Sequence, residues 1–135
     1  MQIDHRNIQI ICLILIALTI SLVFYFSWIP DPNIGHKPYF PHWLGAWTNK
    51  NGNLRTAVPF IFLGALLELG FINIQENWKK RINILILLTV IVFIAELGQL
   101  FLPQRHFDIA DILWGIFGSM VGLYVGNITK KTLSR

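Results

Sequence analysis

Residues 7–30 form a run of 24 positions without one charged side chain. At 1.5 Å per residue a helix of that length reaches about 36 Å, more than the ~30 Å hydrocarbon core of a bilayer. Inside a bilayer each backbone N–H and C=O must find its partner within the protein, which makes a helix the form for such a run. The segment therefore predicts a chain that crosses a membrane.

Three further runs repeat the pattern. Residues 56–75 are interrupted only by Glu68, residues 82–102 only by Glu96, and residues 109–129 hold only Asp111. A central acid costs ~3 kcal/mol on insertion scales, which the apolar neighbours offset. The expected fold is all-α, a bundle of four transmembrane helices at about 8–29, 56–75, 82–102 and 108–128, in a single domain covering 1–135. A short external hairpin joins the third and fourth.

Composition agrees. Hydrophobic residues make up 54% and charged residues 13%, against roughly 25% charged in ordinary soluble proteins, which excludes a disordered chain. Cys12 is the only cysteine, so a disulfide scaffold, a CxxC redox centre and a cysteine-built zinc site are excluded. The first run has a basic start at His5 and Arg6, as a signal peptide would. Its length and its end, Phe26-Ser27-Trp28-Ile29-Pro30-Asp31, lack the small-x-small cleavage pattern, so a retained anchor helix is expected.

The basic residues predict orientation. Arg6, Lys79, Lys80, Arg81, Lys130, Lys131 and Arg135 fall on one side, seven in all, with Lys79–Arg81 read as a loop. Lys37, Lys50, Arg55 and Arg105 fall on the other. The positive-inside rule then puts both termini in the cytoplasm, and the net charge of +4 reads as a topology signal touching anionic lipid rather than as a nucleic-acid surface.

Residues 30–55 make the one long external loop. Pro30, Pro32, Pro38 and Pro41 argue against a regular helix there, and Trp28, Tyr39, Phe40, Trp43 and Trp47 suit the headgroup level. It reads either as an anchoring aromatic belt or as a lid over an outward-opening site.

The chemistry-bearing stretch runs from Glu96 to Asp111. Pro103 ends the third helix, so the third and fourth are antiparallel neighbours. Glu96 and Gln99 share a helix face, as do Asp108 and Asp111, each pair being three residues apart. Glu96 lies seven residues before Pro103, about 10 Å below the turn. Glu96, Gln99, Arg105, His106, Asp108 and Asp111 can thus converge just under the outer surface. Gly115, Gly118, Gly122 and Gly126 continue the stripe of Asp111 and turn it into the bundle, since small residues let membrane helices approach closely. Gly64 and Glu68 repeat that logic on the second helix, too deep for direct reach of the outer cluster.

The pattern Glu96-x-x-Gln99, Pro103-x-Arg105, Asp108-x-x-Asp111 and Gly118-x-x-x-Gly122 resembles the signature of VanZ-like membrane proteins. These are small polytopic bacterial proteins named for an accessory factor in teicoplanin resistance. The resemblance implies a helical bundle in the cytoplasmic membrane with a role at the cell envelope, and it implies no particular reaction. Two places depart from it. The family often has Asp-Lys-x-x-His at the start of its second helix, where this chain reads Gly52-Asn53-Leu54-Arg55-Thr56. It often has Asn four residues after the last Asp, where this chain has Gly115.

Each polar group has a structural reading beside the functional one. Arg105 could pair with the acids and clasp the hairpin, or the cluster could bind a ligand, because ionisable groups in membranes usually mark function. Arg55, His36 and His42 are secondary candidates on the same side. Glu68 needs a partner or a proton. The three outward histidines show no ligand spacing that favours a metal, no cofactor is implied, and Ser119 and Ser134 lack a nucleophile elbow. Three functions stay open at this stage. The first is an envelope protein binding membrane lipid or a lipid-linked cell-wall precursor. The second is an intramembrane hydrolase or transferase with Glu96 or Asp111 as general base. The third is a small proton-coupled transporter using Glu68, which would need a homo-oligomer to enclose a pathway.

Overall fold

The computed structural model describes residues 5–39, 41–73 and 78–133. Among them are five helices and no strand: α1 (His5–Ser27), α2 (His42–Lys50), α3 (Gly52–Phe71), α4 (Trp78–Gln99) and α5 (Ile109–Leu133). Four of these, all but α2, are long and apolar enough to cross a membrane. They alternate in direction. The ends of α1 and α4 and the starts of α3 and α5 gather at one end of the bundle, the loop end. Lys79, Lys80, Lys130 and Lys131 mark the other, the basic end.

The bundle is held by backbone approach more than by bulk. Lipid tails are as apolar as leucine, so burial drives helices together little in a membrane, and close van der Waals packing must do it. The tightest seam is α3 against α5. A Cβ on Gly122 would stand 2.2 Å from the Ile61 carbonyl oxygen, and one on Gly118 would stand 2.4 Å from that of Ala57. Gly118, Gly122 and Gly126 of the stripe read from the sequence are thus the face of α5 that touches α3, while Gly115 meets Val92 of α4. Ile16, Phe60, Leu63, Leu88 and Val92 fill the centre. α1 is the most lipid-facing span and packs on α3 and α4.

Three local expectations need correction. The proline-rich loop contains a regular helix, α2, because the last proline, Pro41, stands just before it and leaves nine helix-compatible residues. A short 3₁₀ turn, Ile34–His36, folds against α2, where the Gly35 N–H donates to Asn49 Oδ1 at 3.0 Å. Lys79, Lys80 and Arg81 are not a loop but the first turn of α4, which starts at Trp78. α3 begins at Gly52, earlier than expected, and ends at Phe71. The expected extension of that helix over 74–75 lies outside the described residues, as do Ser134 and Arg135.

Candidate functional site at the loop end

α4 ends in a tight run of turns, with the Leu100, Phe101 and Leu102 N–H groups bonding back to Leu97, Gly98 and Gln99. Pro103 prevents continuation, and the chain enters α5 six residues later. Asp108 caps α5: its Oδ1 accepts the Ala110 N–H at 2.8 Å. The Asp108 N–H in turn donates to Glu96 Oε2 at 3.2 Å. This is the reciprocal bond of a capping box, with the acid supplied by the neighbouring helix instead of the third residue of the same one. Glu96 Oε1 accepts the Gln99 side-chain amide at 2.8 Å. Both oxygens of this carboxylate, 2% exposed, are therefore engaged, Oε2 in joining α4 to the start of α5 and Oε1 in holding Gln99 one turn along α4.

Arg105 does something else than expected. Among the described residues it makes no ion pair with an acid. Its Nε donates to the Ile29 carbonyl at 3.0 Å and its Nη2 to the Phe26 carbonyl at 3.2 Å. It caps the C-terminal end of α1, where the helix dipole favours a cation. The clasp thus ties the hairpin to α1 rather than to its own acids. Burial first, then the nearby Arg55 charge, push the Arg105 guanidinium below its ordinary pKa, opposed by Glu96, Asp111 and Asp31.

Trp28 is a second tie that the aromatic-belt reading missed. Its Nε1 donates to the Ala95 carbonyl at 3.2 Å. The indole lies where a side chain at position 98 would be, since a Cβ on Gly98 would stand 2.0 Å from Nε1. The one signal in the sequence was a glycine inside a membrane helix beside Glu96 and Gln99.

Beneath these ties is a cavity of about 390 Å³. Arg55, Arg105, Glu96, Gln99, Asp111, Thr48 and Thr56 give it a polar end. The Thr56 hydroxyl lies beside the Asp111 carboxyl. Leu22, Val58 and Phe62 form part of its wall and also face out of the bundle, being 54%, 40% and 61% exposed. The cavity thus meets the lipid-facing side between α1 and α3. Pro59, also in the wall, has no N–H to give the Arg55 carbonyl one turn earlier.

The expected site residues divide. Glu96, Gln99, Arg105, Asp111 and Arg55 line this cavity, whereas Asp108 acts as the α5 cap. His36, His42 and His106 are exposed and do not line it. Among the described residues no group of three His, Cys, Asp or Glu side chains is arranged to hold a metal. Glu68 lies at the basic end, 16 residues into α3 and about 24 Å from its start. It is fully buried and has a partner: Arg81 Nε reaches its Oε2 at 3.0 Å and Nη2 its Oε1 at 2.6 Å. Next to this pair, Lys130 Nζ bonds the Glu68 and Ile72 carbonyls and caps α3 as Arg105 caps α1.

The profile of the VanZ/LLP1 family matches residues 8–130, which span all four membrane helices and the loop-end site. The chain belongs to the VanZ/LLP1 family. Comparison with curated proteins, and separately with solved structures, found no significant match. The match extends the resemblance carried by the last third of the sequence over nearly the whole chain, including the proline-rich loop.

Proposed function

We propose that this VanZ/LLP1-family membrane protein binds the phosphate-bearing headgroup of a lipid or lipid-linked cell-wall precursor in the loop-end cavity. The observation that carries the reading is the cavity's mixed lining. Two guanidinium groups, Arg55 and Arg105, stand at a polar end shared with Asp111 and Thr56, while Leu22, Val58 and Phe62 lead from it to the lipid-facing surface. A headgroup fits the first part and an acyl or prenyl chain the second. Arg55 and Arg105 repel each other, and a phosphate between them would relieve that repulsion. Asp111 and Thr56 offer acceptors for headgroup hydroxyls or an amine. In this reading the loop end faces outward and both termini are cytoplasmic, in keeping with seven basic residues on the termini side against four. Occupying envelope precursors there would alter how glycopeptides such as teicoplanin reach them.

The test is to incubate the purified chain with isotope-labelled lipid extract and recover what it holds. Saturable retention of a phosphate-bearing lipid, lost in Arg55→Gln and in Asp111→Asn, supports the reading. Retention unchanged in both variants refutes it. Chemical conversion of the lipid would favour an intramembrane hydrolase or transferase. Asp111 would then be its base, because both Glu96 oxygens are already hydrogen-bonded.

A further inference from the structure

A second cavity, about 410 Å³, lies between α4 and α5 at the basic end. Its origin is in the helix faces. The glycines of α5 from Gly118 onward turn toward α3, so the side of α5 facing α4 carries Met120, Leu123 and Asn127 instead. Near the hairpin Val92 packs on Gly115, but toward the basic end the two helices leave a groove. Ile82, Leu85 and Met120 make an apolar wall, and Leu123 is buried. Trp78 and Tyr124, both about 70% exposed, flank the mouth.

The polar end of this groove holds an unmet acceptor. Asn127 Oδ1 is buried, and no donor among the described residues reaches it. A buried amide oxygen without a partner is costly in any folded protein, and more so beside lipid. Arg81 lines the same end. The surroundings are cationic: Lys79, Lys80, Lys130 and Lys131 gather at this end of the bundle, where Arg81 and Glu68 neutralise each other.

We infer that this groove holds one phospholipid whose anionic phosphodiester carries a hydroxyl-bearing headgroup. The apolar wall takes an acyl chain, the basic end draws the phosphate, and a headgroup hydroxyl donates to Asn127 Oδ1. An exposed tryptophan and tyrosine at the mouth suit the headgroup level. The site is separate from the loop-end cavity and does not depend on the function proposed for it.

Native mass spectrometry of the purified full chain, released from detergent with phosphatidylglycerol or phosphatidylcholine added at equal concentration, tests this. The expected result is one retained phosphatidylglycerol per chain, at least five-fold more abundant than retained phosphatidylcholine. Asn127→Leu, which removes the acceptor, should cut that retention at least five-fold. Met120→Trp, which fills the groove, should do the same by another route, and Leu18→Trp, on the lipid-facing side of α1 and in neither cavity, should leave it unchanged. Equal retention of the two lipids by the unaltered chain overturns the inference even if a variant fails to fold. Wild-type retention in folded Asn127→Leu and Met120→Trp overturns it as well.

Discussion

Replacing Arg105 with Ala tests whether the hairpin is clasped to α1 or to its own acids. The side chain gives two hydrogen bonds, at 3.0 and 3.2 Å, to carbonyls at the end of α1. A hydrogen bond from a charged group contributes ~1.5–3 kcal/mol, and this pair sits in a half-exposed position, so the lower figures apply. A total loss of about 2–3 kcal/mol is expected, or about 30- to 150-fold in the unfolding equilibrium. The measurement is denaturant unfolding in detergent micelles. Local release can be read separately from Cys12, which is buried against Gly70 near the other end of α1. If only the loop end of α1 comes away, thiol labelling at Cys12 stays slow while the whole bundle still weakens. A double-mutant cycle with Glu96→Gln then decides between partners. Residues without a shared contact add to within about 0.5 kcal/mol, so the cycle should close near zero. Arg105→Ala costing under about 0.5 kcal/mol, or a coupling to Glu96 above about 1 kcal/mol, would refute the α1 clasp.

Gly122→Ala should cost about 1–3 kcal/mol in thermal unfolding. Its Cβ meets the Ile61 carbonyl at 2.2 Å, and backbone on both sides leaves no rotamer to yield. A Tm equal to that of the unaltered chain would mean that α3 and α5 are not in backbone contact. Glu96→Leu should cost about 2–4 kcal/mol, because it strips both the Asp108 N–H and the Gln99 amide of their acceptor. Glu96→Gln should cost less than about 1 kcal/mol, since Gln99 can turn its amide oxygen toward the new donor; chemical denaturation of the two variants compares them. Arg81→Leu should destabilise by about 3–5 kcal/mol, leaving Glu68 a buried unpaired acid, and adding Glu68→Leu should recover part of that loss. A double variant no more stable than the single one would show that Arg81 acts through something other than Glu68.

The four spans and the hairpin were legible because length, charge exclusion and a terminating proline each act locally along the chain. The Glu96–Gln99 pair was legible too, since a spacing of three on a helix puts side chains on one face. The partners of the cations were not. Arg105 finds backbone carbonyls 76 and 79 residues away, and a carbonyl has no side-chain signature. Arg81 meets Glu68 only because the chain turns back between α3 and α4. Helix α2 was obscured because four prolines dominated the reading of a loop whose last nine helical residues contain none. Trp28 looked like one more interfacial aromatic until the Gly98 gap beneath it supplied a reason for its position.

The polar residues of this bundle can now be separated by what already satisfies them. Glu96, Gln99 and Asp108 bond one another across the hairpin, Arg105 caps α1, Arg81 neutralises Glu68, and Lys130 caps α3. The hydrogen bonds these residues make are directed at the fold. Placing such groups at the two ends of a membrane bundle lets the helix termini end in partners instead of open carbonyls. Arg55 and Asp111 differ. Arg55's hydrogen bond to the Pro32 carbonyl is long, 3.4 Å, and Asp111 is held by the Thr56 hydroxyl with the Arg55 and Arg105 charges nearby but no ion pair among the described residues, while both line the loop-end cavity. Charges that face each other across a cavity without forming an ion pair, in a place where charge is expensive, favour the proposed reading in which the cavity takes in a headgroup. That is why Arg55 and Asp111, not the more deeply buried Glu96, are the residues on which headgroup recognition should turn.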